Sequence, residues 1–242
     1  MRHSEIEYGA CDHNDHHQII SAIPSGNTEE AKRLILNHSA DFLTRHEYVF
    51  WSISEGFDSI SNILIDKGVA LDNKCKNGLT PLMLAADRGR KHTVSALINK
   101  GVNLNIKNNK GNNALIIATQ SNHAEIVKQL IAAGADINQQ DIAGDTALIL
   151  AASSNNSAIT SMLVNAKAHL NLVNKGSYSA LMLASDKGHT DIVQMLVLAN
   201  ADLNQKDEKG GSALAYAANS GHKAIVRLLI DAGADLDNQD NT

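Results

Sequence analysis

Apolar and small residues recur along this chain at one fixed distance. Thr80, Asn113, Thr146, Ser179 and Ser212 stand 33 residues apart. A small residue precedes each anchor by two places (Gly78, Gly111, Gly144, Ser177, Gly210). A Leu follows it by two (Leu82, Leu115, Leu148, Leu181, Leu214) and an Ala by five (Ala85, Ala118, Ala151, Ala184, Ala217). Gly or Asn closes the pattern nine places on, at Gly89, Asn122, Asn155, Gly188 and Gly221. A fixed period of this length marks a solenoid, whose units bury their apolar sides only against their neighbours.

The pattern within one unit predicts two short helices. The anchor hydroxyl or amide can accept a backbone N–H bond and cap a helix, and Pro81 at the next position lacks only a donor that would be orphaned there. Ala85 and Ala86 permit close approach of a second helix, and the Gly or Asn after them tolerates the left-handed backbone that ends the first. In the second helix, Ile126, Val127, Leu130 and Ile131 form one apolar stripe. Gly68, Gly101, Gly134 and Gly233 end the second helices, with Lys167, Asn200 and Ser39 standing in elsewhere at an expected cost in stability.

Five units, over residues 72–242, carry the full pattern. Upstream, Gly56, Ile60, Leu64 and Gly68 place a further unit one period earlier, and Gly26, Glu29, Leu34, Ile35, Ala40 and Asp41 suggest a first unit with a shorter following loop. The expected organisation is a polar leader (1–16), two degenerate capping repeats (17–71) and the array (72–242).

The run Thr80-Pro81-Leu82-Met83-Leu84-Ala85-Ala86, followed by Gly89, and the run Gly134-Ala135-Asp136-Ile137-Asn138 resemble an ankyrin repeat. The resemblance implies an all-α solenoid of about seven helix-turn-helix units with finger loops, the first two degenerate. It also implies an interaction module in which the partner meets the finger tips and the exposed side of the first helices. The matching positions are Lys76, Asn77, Leu79, Arg88, Asn109, Lys110, Asn112, Gln120, Ile142, Asp145, Ser154, Lys175, Tyr178, Lys187 and Lys209. Asn105, Asn138, Asn171 and Asn204 recur where the second helix leads into the finger and are expected to bond their own turn backbone; Asn138 and Asn204 also resemble ankyrin asparagines that a cytosolic asparaginyl hydroxylase can modify. Where the family motif has His, this chain has Met83, Ile116, Ile149, Met182 and Ala215. The expectation is an inter-repeat core that is greasier and less specified by hydrogen bonds.

Composition narrows the picture. The chain is 43% hydrophobic with 3% aromatic residues, so Leu, Ile, Val and Ala do the packing. No stretch approaches the roughly 18 uninterrupted apolar residues of a membrane helix, and residues 1–10 hold no secretory signal. Cys11 and Cys75 lie at no metal-ligand spacing, which fits a reduced, cytoplasmic setting in the protein's own cell or a host cell. The net charge of −5 gives no general attraction to nucleic acid. His3, His13, His16 and His17 with Asp12 and Asp15 form a ligand-like cluster, but in a polar leader with no fixed second shell it reads as no functional metal site.

Two features remain. Lys74, Lys76, Lys107, Lys110, Lys175, Lys206 and Lys209 form a row on the fingers that could steer an acidic partner, or merely a solvated face. Phe42, Tyr48, Phe50, Trp51 and Phe57 cluster in the second unit; Trp51 takes a core position, while Tyr48 and Phe50 are candidates for a hydrophobic hot spot. No phosphate-cradling loop, metalloprotease helix or nucleophile elbow occurs, so neither an intrinsic enzyme nor a cofactor is expected.

The sequence therefore reads as an adaptor or recruiter that binds a partner protein, without inserting into a membrane. Such arrays occur in eukaryotic regulators and in effectors that intracellular bacteria deliver to host cells. Two alternatives stand beside this: the targeting arm of a longer enzyme, and a self-assembly element using the last repeat. Asn238-Gln239-Asp240-Asn241-Thr242 resembles the opening of another finger, so the natural protein is expected to continue, or this end to pack against another copy.

Overall fold

The computed structural model describes residues 19, 21–22, 28–45 and 48–236. The leader with its His cluster, Gly26, and residues 238–242 lie outside them. The described residues form helices joined by turns, with no strand among them. In order these are α1 (Thr28–Asn37), α2 (Ala40–Arg45), α3 (Tyr48–Glu55), α4 (Asp58–Asp66), α5 (Pro81–Asp87), α6 (Lys91–Asn99), α7 (Ala114–Gln120) and α8 (Ala124–Ala132). They continue with α9 (Ala147–Ser153), α10 (Ser157–Asn165), α11 (Ala180–Asp186), α12 (Thr190–Leu198), α13 (Ala213–Asn219) and α14 (Lys223–Asp231). The chain divides into two compact units, Met1–Val102 and Asn103–Thr242.

In the first unit, α3 packs on α4 and α5, and α4 packs on α1 and α6. The shorter loop expected after the first repeat holds a helix, α2, where later repeats extend a finger. Ser39 does not end α1 in the left-handed region, as expected for a Gly substitute; its hydroxyl accepts from Phe42 N at 3.2 Å and caps α2. Lys67 instead closes the end of α1, donating to the carbonyls of Leu36 (2.6 Å) and His38 (2.8 Å).

The aromatic cluster is mostly interior. Tyr48 and Phe50 are 1% and 6% exposed, which corrects the expectation of a surface hot spot there. They stand one period before Pro81 and Met83, which α5 buries in the same way. Trp51 is half-buried, its ring 5.5 Å from that of Phe57. It shares this partial exposure with Leu84, its counterpart one period on.

In the second unit each first helix packs on its own second helix and on the first helix of the next repeat. Each begins as its cap residue dictates: Asn113 Oδ1 accepts from Ile116 N at 2.9 Å, Thr146 Oγ1 from Ile149 N at 3.2 Å, and Ser179 and Ser212 do likewise. Thr80 caps α5 in the first unit by the same bond. Ala118, Ala151, Ala184 and Ala217 are buried, so no Cβ branch holds neighbouring helices apart. Lys167 (φ 65°) and Asn200 (φ 63°) do adopt the left-handed conformation, which costs an ordinary L-residue about 1–2 kcal/mol and Asn less.

Met83, Ile116, Ile149 and Met182 are buried as expected, while Ala215 is half-buried. Hydrogen bonds nevertheless specify the stacking from other positions. Asn105, Asn138, Asn171 and Asn204 were expected to bond their own turns. Each instead accepts, through Oδ1, a backbone N–H 31 residues on: Asp136, His169, Asp202 and Asp235 respectively, at 2.8–2.9 Å. The loop of the next repeat lies alongside, so the amide reaches across rather than back. His189 and His222 bond the carbonyls of Ser153 (3.3 Å) and Asp186 (2.8 Å) in the preceding repeat. The expected shortage of inter-repeat hydrogen bonds is thereby corrected.

Candidate functional site

Each finger of the second unit is a turn closed twice. The backbone N–H of its first residue bonds the carbonyl four residues on, as from Asn108 to Asn112 and from Asp141 to Asp145. The side-chain oxygen of the same first residue accepts two N–H groups: Asn108 from Lys110 and Asn112, Asp141 from Ala143 and Asp145, Asn174 from Gly176 and Tyr178, and Asp207 from Lys209 and Gly211. Asn and Asp favour this turn because their short side chains reach backbone two residues ahead. In the first unit Cys75 holds the equivalent position, with its N–H on the Leu79 carbonyl and its carbonyl accepting from Gly78 N.

Successive fingers touch through backbone. Ile142 N donates to Lys110 O at 2.9 Å, and Lys175 N to Ala143 O at 2.8 Å. Glycine makes the approach possible: a Cβ on Gly111 would lie 2.8 Å from Ile142 N, and one on Gly144 2.8 Å from Lys175 N. Fingers also meet the first helices, since Asn112 Nδ2 donates to Gln120 Oε1 (3.2 Å) and the Tyr216 hydroxyl donates to Asp207. Finger tips and first helices thus share one face within this unit.

The sequence-derived positions divide on that face. Asn109, Lys110, Gln120, Ile142, Ser154, Lys175, Lys187 and Lys209 are exposed, Ile142 by 60%. Asp145 and Tyr178 are half-buried. Asn112 is 4% exposed and bound to Gln120 and Asn108, so it supports the face from beneath and offers a partner no side chain, a correction to its place among the contacts. Lys187 Nζ is drawn onto Ser153, to its carbonyl (3.0 Å) and hydroxyl (2.7 Å). In the first unit Lys76, Asn77 and Arg88 are exposed and Leu79 half-buried. Asn138 and Asn204 both hold their Oδ1 in the inter-repeat bonds described above.

Asp145 is raised above the ordinary carboxylate value, chiefly by burial and also by the charge of Asp141, against the opposing bond from Asn174. At Asp207 burial pushes upward, but the Tyr216 hydroxyl, the N–H groups of Gly211 and Lys209 and the Lys209 charge outweigh it and hold the carboxyl low. Tyr216 is raised by burial, by its bond to Asp207 and by Tyr178, and stays a neutral donor. The sequence reading missed Tyr216 and Asp207. Tyr216 occupies the position of Leu150 and Leu183, where periodicity alone reads an aromatic as core. Among the described residues no group of three or more His, Cys, Asp or Glu side chains is placed to hold a metal ion.

Helix pairs capped at this period, with fingers stacked through glycine, are matched by the family model for ankyrin repeats (3 copies) over residues 49–141 and 134–207, and by that for a single ankyrin repeat over 209–241. The chain belongs to the ankyrin-repeat family. An ankyrin repeat domain from Acinetobacter baumannii AYE superposes with a TM-score of 0.74 at 26% identity, covering 77% of this chain and 98% of that one. A search of curated proteins finds no match. Ankyrin repeats are in general protein-protein interaction modules, a fold without catalytic chemistry of its own. Among the described residues of this ankyrin protein no helix is long and apolar enough to cross a membrane.

Proposed function

We propose that this ankyrin protein is an adaptor or recruiter, and that it holds a partner protein on the finger and first-helix face of its second unit. The observation that carries the reading is a division of labour within each repeat. Caps, small residues and inter-repeat amides are consumed by the fold, whereas Lys110, Ile142, Lys175 and Lys209 give the finger stack only their backbone groups and remain exposed at the tips. Preformed fingers keep those side chains in place before a partner arrives, which lowers the ordering cost of binding. Lys107, Lys110, Lys175, Lys206 and Lys209 are all exposed, against Glu208 as the exposed acid on the same fingers, so the complementary partner surface is acidic.

The full chain, used as bait in cytosol beside a K110E/K175E/K209E variant, tests the reading. Both should give the same helical circular dichroism, and the variant should release the partner that the wild type retains at low salt. A partner held equally by both proteins, with equal salt dependence, would remove the finger lysines from the argument.

A further inference from the structure

The finger stack of the second unit is interrupted at one place, and the interruption is filled by tyrosines. The backbone bonds that join the fingers of Lys110 and Ile142, and of Ala143 and Lys175, have no counterpart from Gly176 O to Glu208 N. The sequence departs from the pattern at the same place. Where Gly111 and Gly144 let the next finger approach to within a Cβ's reach, the third finger of this unit carries Ser177, at φ 62°, and its glycine is displaced to Gly176. At the approach seen beside Gly111 and Gly144, a Cβ at this position would meet the following backbone.

In the opening stand Tyr178, from that finger, and Tyr216, from α13. Their rings are 5.7 Å apart at 66°, an edge-to-face pair. Glycine makes room for both: a Cβ on Gly176 would lie 2.8 Å from the Tyr178 ring, and one on Gly211 3.1 Å from the Tyr216 ring. The Tyr216 hydroxyl is fixed on Asp207, itself held by the N–H groups of Lys209 and Gly211. Both tyrosines are half-buried, and the two fingers beside them carry the exposed Lys175, Lys206 and Lys209 and one exposed acid, Glu208. A rigid, half-exposed aromatic pair with excess positive charge around it is the composition that protein interfaces use for an anchor, with the charge setting the partner's sign.

We infer that the Tyr178–Tyr216 pair is the anchor point of the binding face, taking one aromatic side chain from an acidic segment of the partner, whose carboxylates lie against Lys175 and Lys209. The inference rests on the functional reading above and narrows it to one place and one partner chemistry.

The test uses the full chain and two labelled peptides: a ten-residue Asp/Glu peptide with a single central Trp, and the same peptide with Ala in its place. Binding is read by fluorescence polarisation at low and at physiological salt. The Trp peptide should bind at least tenfold tighter than the Ala peptide, Tyr178→Ala should abolish that preference, and Tyr178→Phe should preserve it. The Lys175→Glu/Lys209→Glu variant should weaken both peptides and flatten the salt dependence. Equal binding of the two peptides, no binding of either, or a Trp preference that survives Tyr178→Ala overturns the inference. A cytosolic partner still captured by the Tyr178→Ala protein, and lost on reversal of the finger lysines, would leave the broader reading standing while this one falls.

Discussion

Gly144 and Gly134 have nearly the same backbone, φ 82° and 85°, yet their surroundings differ completely. A Cβ on Gly134 would meet nothing within 4 Å, whereas one on Gly144 would lie 2.8 Å from Lys175 N and 2.9 Å from Asn174 Cα. Gly134→Ala should therefore cost only the left-handed conformation, about 1–2 kcal/mol. Gly144→Ala should cost the same conformational penalty and in addition separate the fingers, forfeiting the Lys175 to Ala143 bond, a further ~0.5–1.5 kcal/mol. With about 2–4 °C per kcal/mol for a chain of this size, the second variant should melt at least a degree or two below the first. Because repeat arrays can unfold in parts, the assay is urea denaturation followed by both circular dichroism and tyrosine fluorescence, with unchanged slopes required of each variant. Equal destabilisation by the two substitutions would refute the claim that glycine is required there for finger contact.

Two further outcomes follow from the polar framework. Asn138→Ala should remove the acceptor of His169 N, costing about 1 kcal/mol and speeding hydrogen exchange at that amide; unaltered protection would show that the inter-repeat bond contributes nothing. The Asp207 carboxyl is held low in the folded chain, so its contribution is complete above the ordinary carboxylate value of 3.8 and is lost as the pH falls through the lowered one. Acid titration of the Gly211 amide signal should show this loss in the wild type and not in Asp207→Asn, and identical titrations would exclude Asp207 as its source.

The period was legible because each framework position has one physical task that few residues perform. An anchor must cap, so Thr, Asn and Ser alternate there freely; the position five later must be small, so it is always Ala. Surface positions carry no such constraint, and reading them from the motif alone misplaced Asn112, which the finger turn pulls inward. The recurring asparagines were identified as a set but given the wrong bond. Periodicity shows that a residue recurs, and only the packed loop of the next repeat, 31 residues on, shows what it reaches.

Tyr48 and Tyr216 illustrate the same limit from opposite sides. Both break a run of aliphatic positions. In α3 the aromatic lies in the interior, 1% exposed. In α13 the ring is only half-buried, beside the finger that carries Ser177 in place of glycine. Sequence separates the two cases only if the residue that marks the opening is read together with the residue that occupies it. Ser177 is the sole non-glycine among the five residues two places before an anchor, and Tyr178 follows it immediately. A departure from glycine where fingers touch, next to an aromatic side chain, marks a place where the array gives up a backbone contact and holds an aromatic pair instead.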